Sequence, residues 1–332
     1  MKKTYYLFNP GRLERRANSL CFLAKGAEKA KYLPVEGVEQ LYIFGSLDAN
    51  SELYNFLGQK QISVHFFDYY EHYRGSFQPK DYLLAGQSQI AQTAVFMNKR
   101  KRLYVAKQFL EGGSFNMLAN LKYYQRRGLS LTTLIEQMEH YRLALNEQET
   151  IPSLMGIEGN FRQEYYRAFE LIIQDFSMRG RSKQPPGNEV NALMSFCNML
   201  LYTAILDQIY HSQLNPTISY LHEPGARRYS LALDISEVFK PVLVDRLMFS
   251  LFNKKQLQKG HFRWLEKACF LNEKGKKVVL AAWDKRLQET VMHPSLGRKV
   301  SYKQLLRQEA YKLMKYILGI NKVYKPYHFG QK

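Results

Sequence analysis

The pattern of apolar and polar positions changes character once along the chain. Up to Gly86 it is a pattern of strands. TYYLFNP, EQLYIFG and ISVHFFDYY are short, aromatic and β-branched, and Asn-Pro-Gly, Gly-Ser and similar breakers divide them. SELYNFLGQKQ, between the second and third, reads as a short helix. From Ala91 to Arg127 apolar residues recur every three and four positions, the spacing of one helix face, with Gly112-Gly113 expected to break or kink the run. LSLTTLIEQMEHYRLAL and almost everything from Leu154 to Phe252 continue as helix, interrupted at Pro185-Pro186-Gly187-Asn188. Asn188 can cap EVNALMSFCNMLLYTAILDQIY, whose stripe Val190, Leu193, Met194, Cys197, Leu201 and Ala204 reads as core. The expected fold class is α+β: a small, mostly β N-terminal domain over residues 1–86, followed by a larger all-α domain over residues 87–332.

Charge changes the picture next. The 332 residues hold 48 Lys and Arg against 29 Asp and Glu, a net of +19. The excess is concentrated: residues 251–332 carry 19 basic and 5 acidic residues, +14 of the total, while the first 82 residues are close to neutral. Such asymmetry points to one domain that meets a polyanion and another that does something else. The three cysteines Cys21, Cys197 and Cys269 form no CxxC pair, which speaks against a structural zinc site or a disulfide framework and suits a reducing cytoplasm. The basic N-terminus lacks the apolar segment of a signal peptide, and no apolar run approaches the roughly 20 residues of a membrane span.

Three stretches carry candidate chemistry. In SLMGIEGNFRQEYYRAF, Glu158 lies between Gly156 and Gly159 and is open to close approach by a ligand; taken alone it reads first as an ordinary first-turn acid that complements the helix dipole. In YLHEPGARRYSLALDISEVFKPVLVDRL, His222 precedes a Pro-Gly turn, and Asp234 and Glu237 are three apart on one helix face. A His with two carboxylates is a workable divalent site, with oxygens that suit Mg²⁺ or Mn²⁺ and an imidazole that tilts toward Mn²⁺. Pro241 has no N–H to donate and crowds the carbonyl of Glu237, so the backbone should be distorted there. In FSMRGRSKQPPGNEVNALMSF, Arg179, Arg181 and Lys183 enter a Pro-Pro turn as a mobile basic loop fit for phosphates, or simply as a solvated one. Arg227-Arg228 and, in the basic tail, Lys276, Lys277, Arg298 and Lys299 are further candidates for backbone phosphates.

MGIEGNFRQEYYRAF, RSKQPPGNEVNALMSFCNMLLY and LHEPGARRYSLALDISEVFKPVLVDRLMFSL, in that order, resemble the motifs of the CRISPR-associated integrase family, the first-numbered Cas protein, which acts in spacer acquisition. IFGSLDANSELYNFLGQKQISVHFFDYYEHYRGSF is similar to that family's β-domain and SYKQLLRQEAYKLMKYILGINKVYKPY to its last helices, so the resemblance spans nearly the whole chain. It implies a β-rich N-terminal dimerisation domain and an all-helical catalytic domain. It implies DNA as substrate, protospacer and CRISPR repeat alike, a homodimer, and a small ferredoxin-like partner, the second-numbered Cas protein. It also implies a Mg²⁺ or Mn²⁺ site held by Glu158, His222 and Glu237, the last standing where the family often has Asp. Asp234 and Asn191 would assist from behind. The expected reaction is attack by water or a 3′-hydroxyl on a DNA phosphodiester. A basic DNA-binding scaffold without catalysis explains the charge equally well, but not three ligand-type residues in the family's register.

Overall fold

The computed structural model describes residues 2–79, 85–182, 185–225, 229–293 and 296–330. The chain divides into two compact units, Met1–Leu84 and Ala85–Lys332.

The first unit is built from β1 (Lys3–Leu7), β2 (Gly11–Arg16), β3 (Ser19–Ala24), β4 (Lys31–Pro34), β5 (Val38–Ile43), β6 (Leu47–Asp48), α1 (Ser51–Gln59), β7 (Ser63–Phe67) and β8 (Tyr73–Phe77). They form two four-stranded sheets, in the orders β1-β5-β7-β8 and β4-β3-β2-β6. In the first sheet β1, β5 and β7 run parallel and β8 closes it antiparallel. The aromatic, β-branched segments read from the sequence are β1, β5 and β7, and α1 begins at an Asn50 cap. The β2–β3 hairpin escapes the alternation rule because β2, GRLERR, buries only Leu13. Its Arg12 and Arg16 pair with Glu14 at the surface, where water screens the contacts. Burying Leu13 and Leu20 among Leu41, Leu53, Leu57 and Val64 contributes about 2 kcal/mol per side chain and decides that the hairpin forms.

The second unit contains α2 (Gly86–Met97), α3 (Lys99–Gln125), α4 (Thr132–Glu147), α5 (Ile151–Ile172), α6 (Glu189–Tyr210), α7 (Ser230–Phe239), α8 (Arg246–Asn253), α9 (Glu273–Gln288) and α10 (Tyr302–Ile317). It is not purely helical. β9 (Phe262–Leu265) pairs with β10 (Ala268–Leu271), and β11 (Thr290–His293) with β12 (Arg298–Ser301). Four-residue strands in a Lys-rich tail give too little alternation to be seen in the sequence.

The break in the long N-terminal helical run falls at Asn98, whose side chain caps α3 by accepting from Lys101 N–H at 3.0 Å. It does not fall at Gly112-Gly113, which lie inside the unbroken 27-residue α3. A Cβ on Gly113 would stand 2.8 Å from the carbonyl oxygen of Glu237, and one on Gly112 2.7 Å from Pro326 Cβ. Gly113 is there for close approach between α3 and α7, and Gly112 for close approach of Pro326, not for a kink.

α6 begins at the expected Asn188 cap, and its stripe is buried. It is long and apolar enough to cross a membrane by length and composition, contrary to the reading that no segment comes near this, and 78% of its apolar window is buried within the fold. Its buried Asn191, Thr203, Asp207 and Gln208 are polar contacts of a core helix.

Between α7 and α8, residues Lys240–Asp245 form a π-helical turn around Pro241. The expected distortion thus starts three residues past Glu237, which remains within α7. Two amides from α3 satisfy carbonyls that the irregular turn exposes. Asn116 Nδ2 donates to Val238 O at 2.8 Å and Asn120 Nδ2 to Pro241 O at 2.9 Å.

Candidate active site

Glu158 lies in the third turn of α5, not at a helix start; the cap is Thr150, whose hydroxyl accepts from Ser153 N–H at 3.2 Å. A Cβ at Gly156 or Gly159 would meet nothing within 4 Å, so the two glycines leave open space beside the carboxylate. One turn further along the same face comes Arg162, whose Nε donates to Glu158 Oε1 at 2.5 Å and whose other arm donates to Glu237 Oε2 on α7. Lys240 Nζ donates to the second oxygen of Glu237 at 2.6 Å. Burial works against the charge on Glu237, but Arg162, Lys240 and His222 outweigh it and hold the carboxyl well below the usual range. Arg162, buried between the two acids, is held charged in turn.

His222 is presented from the loop before α7. Its Nδ1 and its backbone N–H both meet Asp234 Oδ1, at 2.8 and 3.0 Å, while Tyr220 and Leu221 N–H donate to Oδ2 at 2.6 and 3.0 Å. Asp234 is fully buried. A carboxylate that gathers three backbone donors and an imidazole fixes a loop and a ring orientation, with Nε2 at the opposite side of the ring from Asp234.

Glu158, Arg162, Arg181, His222, Glu237 and Lys240 line one cavity of about 840 Å³. Arg181 reaches it from the loop before α6, but not as a mobile side chain. It is mostly buried, donating to Asn191 Oδ1 at 2.8 Å, Ser195 Oγ at 3.2 Å and Ser182 O. Asn191 Nδ2 in turn donates to Met178 O and Gly180 O. Asn191 therefore organises the loop that carries Arg181, and among the described residues no hydrogen bond joins it to Glu158, His222 or Glu237; it does not support the proposed ligands. Arg179 is exposed, at φ 46°, with its N–H on Glu170. Lys183, Arg227 and Arg228 lie outside the described residues. Lys276 and Lys277 are on α9 and Arg298 and Lys299 on β12, and none of the four lines the cavity.

The three expected ligands thus face one cavity. Among the described residues no group of three His, Cys, Asp or Glu side chains is closed up around a metal-sized point. Both carboxylates already converge on one cation, the Arg162 guanidinium, and the imidazole is held by a carboxylate in the manner of a metal-binding His. The donor set fits a hard divalent ion with one nitrogen ligand. Arg162 and Lys240 were not singled out from the sequence. Their signal was legible in the spacing: Glu158–Arg162 is an i,i+4 pair and Glu237–Lys240 an i,i+3 pair.

Burial also pushes Asp245, in the π-helical turn, up to about 7, against a hydrogen bond from Tyr165 and the charges of Arg162 and Lys240.

Comparison with known proteins is consistent throughout. Residues 5–285 match the family model described as CRISPR associated protein Cas1. A CRISPR-associated endonuclease Cas1 from Fusobacterium nucleatum is 42% identical over 328 residues, covering 98% of this chain and 96% of the relative. The solved structure of a Cas1 protein from Thermotoga maritima superposes with a TM-score of 0.85 at 36% identity, covering 99% of this chain and 100% of the other. A casposase bound to integration product shares the fold, with a TM-score of 0.87 at 19% identity over 100% of this chain and 96% of the other. With these matches spanning both units, the chain belongs to the Cas1 family.

Proposed function

We propose that this chain is a metal-dependent DNA endonuclease and integrase that inserts short DNA fragments as new spacers into a CRISPR array. The observation that carries the reading is the convergence of Glu158 from α5, His222 from its loop and Glu237 from α7 in one cavity, with His222 oriented by Asp234. Glu158, Glu237 and His222 Nε2 would hold Mg²⁺ or Mn²⁺. The metal, when bound, supplies charge neutralisation at the scissile phosphate and orientation of the attacking oxygen.

The chain's own residues do the rest. Arg181 and Lys240 place two cations on the cavity wall, where a phosphodiester can be oriented and its developing charge met. Arg162, which now pairs with both acids, would have to release them for Glu158 and Glu237 to serve as ligands. Attack by water on the phosphodiester gives cleavage; attack by the 3′-hydroxyl of a short duplex gives joining. The near-neutral N-terminal unit suits self-association into a homodimer, and the small ferredoxin-like second Cas protein is the expected partner. Membership of the family and the endonuclease names of its relatives support this reading over a purely scaffolding one.

The test is single-turnover nicking of branched DNA and joining of a 3′-hydroxyl duplex into a repeat-containing target, with Mg²⁺, with Mn²⁺ and with chelator. Metal-dependent product that disappears in Glu158→Gln is expected. DNA binding with no product under any metal condition would leave the scaffold reading standing.

A further inference from the structure

Away from the catalytic cavity, the second unit carries a separate cationic groove between α8 and α9. Two cavities of about 600 Å³ each meet there and share Arg246, Lys254 and Arg286 as lining; Lys285 completes one of them. Burial opposes the charge of Arg246, and the nearby charge of Arg286 opposes it further. Glu289 is the acid on the lining, and its carboxylate is engaged by Arg286 at 2.6 Å. Among the described residues no carboxylate pairs with Arg246, Lys254 or Lys285.

Arg246 is held rigidly. Its NH1 donates to Asn120 Oδ1 at 3.2 Å, and its guanidinium sits over the rings of Phe329 at 4.2 Å and Tyr123 at 5.4 Å. That uses one of the five guanidinium donors. Lys254 and Lys285 are exposed and each brings three donors. From Arg246 to Lys254, which caps the C-terminal end of α8, is eight positions, about 12 Å at 1.5 Å per residue. That is the length of three to four base steps of a duplex, at about 3.4 Å each. Tyr123, exposed at the edge of the groove, adds an aromatic face, as nucleic-acid surfaces do.

A fixed guanidinium with spare donors, beside a second guanidinium and two ammonium groups that no carboxylate pairs with among the described residues, is short of anions. We propose that the Arg246–Lys254–Lys285–Arg286 groove is a second phosphate-binding site that seats a DNA backbone away from the pocket of Glu158, His222 and Glu237. It rests on the DNA-acting reading above and adds to it a place where a duplex is held without being cut. Recognition there is of phosphate, not of base sequence, because every group supplied is a cation or a ring face.

The experiment measures binding alone, in EDTA, with the full chain. Anisotropy of a 30-base-pair duplex across a salt series compares the wild type with Lys254→Glu/Lys285→Glu. A control, Lys29→Glu/Lys31→Glu, makes the same change in net charge at exposed positions of the first unit. All are first checked for unchanged melting temperature. The groove variant should bind at least tenfold more weakly. The slope of log affinity against log salt should flatten by roughly two, at about 0.9 per phosphate contact, with the control near wild type. Millimolar inorganic phosphate should raise the melting temperature of the wild type and not of the groove variant. Wild-type affinity and slope in the groove variant would overturn the proposal. So would a phosphate response lost without any change in DNA binding, which would make the groove a small-anion site or a docking place for an acidic protein. Because the assay in EDTA reads binding alone, wild-type protein that shows the expected salt slope but forms no product with Mg²⁺ or Mn²⁺ would fail the catalytic reading and leave this one standing.

Discussion

Asp234 Oδ1 accepts from both the backbone N–H and the ring Nδ1 of His222, at 3.0 and 2.8 Å. A carboxylate only accepts, so Nδ1 carries the proton and Nε2 is left as the basic nitrogen of the ring. The acid that shares a helix face with Glu237 is thereby committed to placing His222. Glu158→Ala, His222→Ala and Glu237→Ala should each reduce metal-dependent cleavage and joining to background while DNA binding in EDTA survives. Asp234→Asn should keep activity lowered about 10–100-fold and partly recovered at high Mn²⁺. A manganese titration in which Asp234→Asn is dead throughout and Glu237→Ala only weakened reverses the assignment of the third ligand.

Arg162 stands where the two carboxylates converge. Removing one partner from a buried ion pair leaves uncompensated charge and costs on the order of 3 kcal/mol. Arg162→Gln should therefore melt several degrees lower in EDTA. Mn²⁺ should raise its melting temperature more than it raises that of the wild type, because no cation has to be displaced. Equal metal-induced shifts in the two proteins would place the metal away from Arg162.

Gly113 touches the backbone of Glu237. Gly113→Ala gains about 1 kcal/mol of helix propensity but forces α3 away from α7, an overpacking cost of about 1–3 kcal/mol. The variant should be less stable than wild type and slower in the joining assay. Gly156→Ala, with open space around its new methyl, should be as stable as wild type or more so. Calorimetry of the pair checks this; a stabilised Gly113→Ala means the close approach is not needed.

Asp245 makes stability depend on pH. Burial raises its carboxyl from 3.8 to about 7. The folded state thus binds a proton over that range that the unfolded state has released, so its contribution is full below about pH 4, declines as pH rises, and is gone above about 7. Asp245→Asn removes the effect. Melting temperatures taken from pH 5 to 8 should show the wild type falling relative to the variant up to about pH 7 and running parallel above it. Parallel curves throughout would mean that Asp245 is already ionised in the folded protein.

Much of this protein is determined by local pattern. Short aromatic and β-branched runs between breakers mark β1, β5 and β7, and three-and-four spacing, set by backbone geometry, marks the long helices. The charge asymmetry needs no structure at all, and Glu158–Arg162 and Asp234–Glu237 are pairs that helical spacing alone places on one face. Tertiary structure decided what those pairs do. Spacing could not tell that Asp234 would be taken up by three backbone donors of residues 220–222, leaving Glu237 to the cavity, because those donors come from a loop folded back over α7. Nor could composition tell that Gly113 admits the backbone of Glu237 and the pair does not bend α3, that Arg181 is pinned by Asn191, or that Arg246 and Arg286 line one groove from different helices. Each of these depends on atoms far apart in the chain, and only packing brings them within a few ångströms.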